Sequence, residues 1–468
     1  MWRKRFDTAE AYDHAGSALA KSYGVHMQLN RSLIKSTIVA ALGGLLFGFD
    51  TAVISGTTAA LTQTYELSPR LLGATVASAI VGTIFGAMLA GFPGDRLGRR
   101  DSLRIMAILY LVSALGCALA WDWPSLVTFR FIGGLGIGGS SVLGPMYIAE
   151  IAPAKWRGRL VGLFQFNVVF GILVAYFSNY AIGLAHFGAA EWRWQLGVAA
   201  IPSAFFLLML LTIPRSPRWL VKKARVQEAR RVLESIGEED VEQELQDIVR
   251  SVHLERGLEN EPLFARKYLF PIFLAVTIGM FNQLSGINAI LYYLNFIFAR
   301  AGFSELSGNL QAVTIGATNL LFTVIAMSVI DRLGRRTLLL IGSVGTAVCL
   351  AGVARIFFTG QHENLLLWLL VGYIASFGFS QGAVIWVYLA EVFPNTVRAK
   401  GQSLGSFSHW FMNALISFTF PQMAASSGAY PFVFFSVMMV VQFFVVLFAY
   451  PETKGVTLEQ MQRKMGIA

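Results

Sequence analysis

The sequence predicts an all-α polytopic membrane protein, with twelve transmembrane helices in two pseudo-symmetric six-helix bundles. Three observations carry this prediction: a shortage of charge, recurring apolar runs and an internal repeat. The 468 residues are 55% hydrophobic and only 14% charged, with a mean hydropathy of +0.59. Soluble domains carry roughly 25% charged residues, so the composition indicates a membrane chain.

The apolar runs are about 20 residues long, which is enough to cross a hydrocarbon core of about 30 Å. The predicted spans are 33–55, 70–92, 102–121, 124–147, 159–184, 194–213, 268–299, 307–329, 337–358, 364–388, 402–422 and 429–450.

Two motifs occur twice. Gly94-Asp-Arg-Leu-Gly-Arg-Arg100 returns as Ile330-Asp-Arg-Leu-Gly-Arg-Arg336, and Ala149-Glu-Ile-Ala-Pro153 returns as Ala390-Glu-Val-Phe-Pro394. Both offsets are about 240 residues, which indicates a duplicated chain. Internal repeats in a membrane chain are typical of transporters.

A polar stretch separates the two sets of six spans. Its apolar residues Val226, Ala229, Leu233 and Ile236 follow a helical spacing, which predicts short intracellular helices rather than the alternative, an unstructured linker. The predicted divisions are a cytoplasmic leader at 1–30, partly disordered and without a cleavable signal, a first bundle at 31–214, a helical linker at 215–267, a second bundle at 268–450 and a cytoplasmic tail at 451–468.

The net charge of +10 could suggest a nucleic-acid partner, but its distribution excludes that partner. With twelve spans, all but five of the 37 Lys and Arg fall on one side of the membrane. The five exceptions are Arg70, Arg130, Arg193, Arg300 and Arg355. Basic loops stay cytoplasmic, so we expect both termini inside, in a bacterial inner membrane.

Other chemistries find little support. The string from Gly134 to Gly139 fits a dinucleotide pattern, but it lies inside an apolar span, where helix packing explains it. Cys117 and Cys349 lie in spans of different halves, so no disulfide or metal site is expected. We expect no enzyme and no cofactor apart from a coupling proton.

Several longer sequence motifs are more specific to one protein family. They are Gly91 to Arg100, Pro145-Met-Tyr-Ile-Ala-Glu150, Ser216-Pro-Arg-Trp-Leu220, Gln283-Leu-Ser-Gly-Ile-Asn288, Glu391-Val-Phe-Pro-Asn395 and Pro451-Glu-Thr-Lys-Gly455. With these strings the chain resembles the major facilitator superfamily, and within it the sugar porters. The resemblance implies that fold, a sugar substrate and a functional monomer. One departure is Arg215, where the family usually has a glutamate.

Asp50 lies deep in the first span, where a charge is costly and marks function. Arg130 of the fourth span lies at a matching depth, so we expect an Asp50–Arg130 pair. Such an acid can couple protonation to a conformational change; the alternative is a permanent structural pair. The resemblance favours coupling, because sugar–proton symporters carry an aspartate here and human facilitative glucose carriers an asparagine.

A monosaccharide site needs amides that donate and accept, and an aromatic face. The seventh span offers Asn282, Gln283, Asn288 and Tyr292, although a straight helix does not bring Gln283 to Asn288. The resemblance implies a helix break near Gly286 that unites them. Further sugar contacts implied by the resemblance are Phe47, Gln165, Asn319, Trp386, His409 and Trp410.

Two of these positions depart from the family. Asn282 replaces a glutamine, and His409 replaces a glutamine or asparagine and could bond a hydroxyl or titrate. By the same resemblance, Ile172 stands where xylose symporters have a glutamine and human glucose carriers an isoleucine, which tilts the expectation weakly toward a hexose over a pentose. Taken alone, each amide could instead serve only to hold helices together.

Charged groups recur at the cytoplasmic ends of both halves. They are Asp95, Arg96, Arg99, Arg100, Glu150 and Arg157 in the first half, and Asp331, Arg332, Arg335, Arg336, Glu391 and Arg398 in the second. The paired acids favour a salt-bridge latch that holds the inner gate shut and opens on transport. The alternative is a set of topology signals.

The sequence therefore predicts a monosaccharide–proton symporter in the lipid bilayer. The alternatives are a proton-independent uniporter, a transporter-like sugar sensor and a transporter for another solute.

Overall fold

The computed structural model describes residues 30–153, 155–255, 261–394 and 396–456, together with 460, 461, 463, 465 and 467. The predicted leader lies outside the described residues except for Asn30, and so does part of the tail. The regular structure of the described chain is helical throughout.

Twelve helical segments, which we call spans 1 to 12, follow the predicted order. Their helices are, in order, Arg31–Val53 with Ile54–Thr57 and Thr58–Thr64; Pro69–Leu89 with Gly91–Arg96; Arg99–Ala118; Trp123–Ile151; Arg157–Gly183; Glu191–Gly197 with Ala200–Met209; Leu269–Leu284 with Ile287–Tyr292 and Leu294–Arg300; Glu305–Leu333; Arg335–Thr359; Leu366–Phe379 with Gln381–Glu391; Arg398–Ser426; and Tyr430–Ala449.

Within the described chain, ten helices are long and apolar enough to cross a membrane. Span 6 is not among them because it is divided between Gly197 and Ala200. Span 11 is long but more polar, since residues such as His409, Asn413 and Gln422 recur along its length. Large apolar side chains such as Phe92 and Phe448 face outward from the spans, as a lipid-facing surface requires.

The packing of the spans repeats with an offset of six. In the first half span 2 packs on span 4, span 1 on span 5 and span 3 on span 6; in the second half span 8 packs on span 10, span 7 on span 11 and span 9 on span 12. The halves join through spans 2 and 11 and through spans 8 and 5, which are themselves related by the same offset. The duplication read from the motifs is therefore present in three dimensions.

Glycine permits the closest of these contacts. A Cβ atom at Gly48 of span 1 would lie 1.8 Å from the carbonyl oxygen of Val168 in span 5, so no larger residue fits there. Between the halves, a Cβ at Gly73 would lie 2.1 Å from the carbonyl oxygen of Phe418. Small residues allow helices to approach closely in lipid.

The predicted break in span 7 is present. Gly286 adopts a left-handed backbone with φ of 86° and separates Leu269–Leu284 from Ile287–Tyr292. A residue with a side chain would be strained there, and its Cβ would meet the ring of Phe435 at 2.3 Å. Span 10 also breaks, at Ser380, which the sequence analysis did not anticipate.

The polar stretch between the halves contains three helices, Pro217–Lys222, Val226–Ile236 and Val241–Glu255. Ala229, Leu233 and Ile236 are buried as the spacing predicted, whereas Val226 is exposed. Asn30 donates from Nδ2 to the carbonyl of Ser235, which ties this region to the start of span 1. The alternative of an unstructured linker is excluded for these described residues.

Candidate functional site

Asp50 and Arg130 come together inside the first half. Nη2 of Arg130 lies 3.9 Å from Oδ2 of Asp50, and the Arg130 side chain is only 3% exposed. The guanidinium is held from the other side, because its Nε donates to the carbonyl of Thr75 at 3.1 Å. The hydroxyl of Thr75 in turn accepts a hydrogen bond from Nε1 of Trp123.

Arg130 makes a long contact with Asp50 and a hydrogen bond with Thr75. At 3.9 Å the two charges attract without a hydrogen bond, whereas Arg130 keeps its bond to Thr75. Asp50 can therefore lose or gain a proton without breaking a hydrogen bond to Arg130. The pairing expected from matching depths agrees with this arrangement, and its role in coupling stays a prediction.

Four polar side chains of spans 7 and 11 form what we call the amide chain: Asn288, Gln283, Asn282 and His409. Nδ2 of Asn288 donates to Oε1 of Gln283 at 3.2 Å. Nε2 of Gln283 donates to Oδ1 of Asn282 at 3.2 Å and lies 3.2 Å from a ring nitrogen of His409. The break at Gly286 therefore unites Gln283 and Asn288, which a straight helix would separate.

The shortened side chain at Asn282 has a partner of its own. Its Nδ2 donates to the backbone carbonyl of Gln381 at 3.4 Å, beside the break in span 10. Asn282 is 4% exposed and Gln283 is 1% exposed. Sugar hydroxyls can replace these mutual bonds, because each amide keeps both a donor and an acceptor.

Aromatic rings surround the amide chain. Trp386 and Trp410 lie on two sides of His409, with ring centroids at 5.2 and 5.0 Å. Phe47, from the first half, contacts Trp410 at 5.6 Å. Trp386 is 38% exposed, unlike the other aromatic residues of the site, so its face is available to a ring-shaped ligand.

Tyr292 lies on the same side as these rings. Its hydroxyl accepts a hydrogen bond from Nδ2 of Asn413 at 3.3 Å. Asn413 is fully buried and escaped the sequence analysis. It lies one helical turn after His409 and Trp410, and that spacing was the available signal.

Gln165 and Asn319 are the two predicted sugar contacts from spans 5 and 8. Gln165 of span 5 is half-buried, and Asn319 of span 8 is buried near Gly378. Among the described residues, neither makes a hydrogen bond to the amide chain. Their roles as sugar contacts stay predictions.

The charged residues at the ends of the spans form matching braces, one in each half. Nε of Arg99 lies 2.9 Å from Glu150, and Nη2 of Arg335 lies 2.9 Å from Glu391. Arg99 also contacts Asp95 at 3.3 Å. We call the end of the molecule that carries these braces the charged end.

The remaining members of these clusters are held mainly by backbone groups. Arg157 and Arg398 donate to carbonyls five residues earlier, at Ala152 and Phe393. The other recorded partners are Phe92 for the guanidinium of Arg96, Asp101 and Ile213 for Arg100, Val446 for Nε of Arg336, and Lys454 for the carbonyl of Arg332. The side chain of Asp331 lies outside the described part.

Each of these pairs joins residues of one half. A latch between the halves therefore stays a prediction, whereas the pairs seen here stabilise the halves separately.

Glu452 follows the last span and caps the start of span 9. It accepts hydrogen bonds from the backbone N–H groups of Arg335 and Arg336 at 2.9 and 3.0 Å. Burial acts to raise the pKa of Glu452, but the backbone donors of Lys454, Arg335, Arg336 and Thr453 outweigh it and hold the pKa below its ordinary value.

The two halves meet at the opposite end, which we call the far end. Oγ of Ser55 in span 1 donates to Oδ1 of Asn295 in span 7 at 2.8 Å, and the backbone N–H of Asn295 donates back to Ser55. The hydroxyl of Tyr176 in span 5 donates to the carbonyl of Leu291 at 2.8 Å. The sequence analysis missed these contacts, since no local pattern marks them.

Comparisons with known proteins agree with this architecture. A family model described as "Sugar (and other) transporter" matches residues 36–465. The D-xylose-proton symporter of Escherichia coli (strain K12) is 37% identical, over 94% of this chain and 97% of that protein. The arabinose-proton symporter of Bacillus subtilis (strain 168) is 37% identical, over 92% of this chain and 94% of that protein.

Among solved structures, the inward open conformation of the xylose transporter XylE from E. coli matches with a TM-score of 0.83 and 36% identity. The match covers 92% of this chain and 99% of that one. Four findings point to the same family: the twelve spans, the break in span 7, the duplicated charged braces and the similarity to these relatives. The chain belongs to the sugar transporter family of the major facilitator superfamily.

Proposed function

We propose that this protein is a secondary active transporter that carries a monosaccharide, a hexose or a pentose, together with a proton. The two similar symporters carry D-xylose and arabinose by name, and the amide chain offers the donors and acceptors that a sugar needs. The chemistry is binding and movement, without a covalent step.

One observation carries the proposal. A small cavity is lined both by Asp50 and Arg130 and by Phe47, Tyr292 and Trp410. The ion pair of the first half therefore faces the same space as Tyr292 and Trp410, the aromatic residues that the second half contributes to the sugar site. A ligand shifts a conformational equilibrium only through groups that it contacts differently in the two states. Here the proton site and the sugar site adjoin, so both can act on the same closure of the two halves.

Alternating access follows from the arrangement of the halves. Contacts such as Ser55 to Asn295 close the far end, and the similarity to an inward open structure supports the charged end as the open side. Proton and sugar would enter from the far end, bind at the midplane and leave at the charged end. The excess of basic residues supports a cytoplasmic position for the charged end and for both termini, in a bacterial inner membrane.

Two alternative functions, a uniporter and a sensor, would give different results in a transport experiment. In a uniporter, Asp50 and Arg130 would be a structural pair, and sugar would cross without protons. In a sensor, the site would bind sugar without net flux.

The test is to add single monosaccharides to de-energised cells or proteoliposomes that contain the full chain and to record external pH and sugar uptake together. Symport predicts sugar-dependent external alkalinisation in step with uptake. Uptake without proton movement would establish a uniporter, and binding without uptake would favour a sensor.

A further inference from the structure

We propose that a cluster of three arginines at the charged end binds the headgroup of an anionic phospholipid. We call Arg100, Arg104 and Arg215, gathered around Asp101, the three-arginine cluster. This site is separate from the sugar site and from the proton pair, and the inference does not rest on the proposed transport.

All three guanidinium groups share one carboxylate. Nη2 of Arg100 lies 2.9 Å from Oδ1 of Asp101, and Nη1 of Arg104 lies 2.8 Å from the same oxygen. Nη2 of Arg215 donates to Oδ2 of Asp101 at 2.9 Å, and its Nε donates to that atom at 3.2 Å. Three positive charges therefore face one negative charge, which leaves an excess of two.

Backbone carbonyls at the end of span 6 compensate part of this excess positive charge. Arg104 donates to the carbonyl of Leu210, and Arg100 donates to that of Ile213. Carbonyls at a helix C-terminus carry only a partial negative charge, so a net positive charge remains. Among the described residues, Nη1 of Arg215 has no hydrogen-bond partner, and the Arg215 side chain is 32% exposed.

Arg215 supplies half of this excess, because Arg100 and Arg104 alone would leave a surplus of one positive charge beside Asp101. We infer that something outside the chain supplies the missing negative charge.

The surroundings favour a lipid over a soluble anion. Leu208 and Leu211 of span 6 are each 58% exposed, next to the cluster, and Ile105 of span 3 is also exposed. The buried ring of Trp219 supports Arg215, with the guanidinium 5.4 Å from its centroid. Exposed apolar residues next to a group of cations are typical of the membrane–water boundary, where anionic lipid headgroups attract basic residues. A phosphate at Arg215 would place its acyl chains against these leucines.

The experiment measures how much phosphatidylglycerol the purified full-length protein retains after partial delipidation from mixed phosphatidylcholine and phosphatidylglycerol nanodiscs, by native mass spectrometry. Each surface charge near an anionic membrane is worth about fivefold in binding. We therefore expect Arg215→Gln to weaken phosphatidylglycerol retention about fivefold and Arg215→Glu about thirtyfold.

Arg231→Glu is the matched control. Arg231 is an exposed cation in the linker helix Val226–Ile236, outside both the spans and the cluster, and its reversal changes net charge by the same amount as Arg215→Glu. Retention by Arg231→Glu should equal that of the wild type. Equal retention by wild type and both Arg215 variants would overturn the proposal. Complete displacement of the lipid by inorganic phosphate would also overturn it, because the site would then select a free anion.

Discussion

The guanidinium of Arg130 is shared unequally: its Nε donates to the carbonyl of Thr75 at 3.1 Å, while its Nη2 lies 3.9 Å from Asp50. The arginine is thus fixed to span 2, and the carboxylate of span 1 is free to change its protonation. A movement of span 1 against spans 2 and 4 would alter the 3.9 Å distance without releasing Arg130 from Thr75. This relationship is the physical basis of the proposed coupling.

Arg130→Gln should destabilise the protein more than Asp50→Asn does, because it also removes the hydrogen bond that Arg130 donates to Thr75. Removing one partner of a buried ion pair costs about 3–5 kcal/mol, because the other charge is left uncompensated. Adding Asp50→Asn to Arg130→Gln should recover most of this loss. Thermal unfolding of the four purified proteins forms a double-mutant cycle. Additive effects in that cycle would show that the two side chains do not interact.

Gln283→Ala should weaken sugar binding without abolishing the fold. Gln283 is the centre of the amide chain, and its loss removes the hydrogen bonds to Nδ2 of Asn288 and Oδ1 of Asn282 together with a predicted sugar contact. A lost hydrogen bond at a buried group costs about 1–3 kcal/mol, so the sugar Kd should rise about tenfold to a hundredfold.

The control for that variant is Gln311→Ala in span 8. Gln311 bonds to Ser307 of its own helix, far from the amide chain. Isothermal titration should give an unchanged Kd for Gln311→Ala. An equal rise in both variants would place the sugar elsewhere.

His409→Gln should keep sugar binding within a few-fold, whereas His409→Ala should weaken it about tenfold. A glutamine offers the same donor and acceptor that a neutral imidazole offers to Gln283. Sugar Kd measured from pH 5 to pH 8 separates the two roles foreseen for His409. A profile that His409→Gln leaves unchanged is expected for a neutral hydrogen-bonding ring, and a pH step that His409→Gln removes would establish titration instead.

Glu452→Gln should lower the stability of the second half in a pH-dependent way. The folded-state pKa of Glu452 is lowered, so its contribution is present above the unfolded pKa of about 4.3 and disappears as pH falls through the folded pKa. Because the group is partly exposed, the expected loss at neutral pH is on the order of 1 kcal/mol or less.

Melting temperatures of wild type and Glu452→Gln should therefore differ at pH 7 and converge in acid. Glu363→Gln, at an exposed glutamate, is the control and should match the wild type at every pH. A difference between wild type and Glu452→Gln that is as large in strong acid as at pH 7 would contradict the assigned role of the backbone N–H donors.

Much of the fold was predictable because it depends on patterns that are local or repeated. Twelve apolar runs and two motif pairs predicted the twelve spans and the duplication. The break in span 7 was implied by the family resemblance, and Gly286 occupies a backbone conformation that favours glycine. The breaks in span 6, between Gly197 and Ala200, and in span 10, at Ser380, were missed because glycines such as Gly197 and Gly378 are common inside these spans and do not by themselves mark a break.

The candidate site was predictable in part. Helix depth alone was enough to pair Asp50 with Arg130, and helical spacing placed Asn288 beside Tyr292. The bond of Arg130 to Thr75 and the contact of Ser55 with Asn295 were not predictable, because backbone carbonyls and distant spans meet only through the tertiary packing. The basic residue at position 215 was visible in the sequence. The gathering of Arg100, Arg104 and Arg215 around the single carboxylate of Asp101 was not.

The most direct test of proton coupling compares Asp50→Asn with the wild type in two assays on the same proteoliposomes. One assay measures sugar accumulation driven by an imposed proton gradient, and the other measures counterflow exchange of labelled sugar without a gradient. The account predicts that Asp50→Asn loses accumulation and sugar-dependent proton uptake but retains counterflow. Accumulation that persists in Asp50→Asn would contradict the role of Asp50 as the coupling acid.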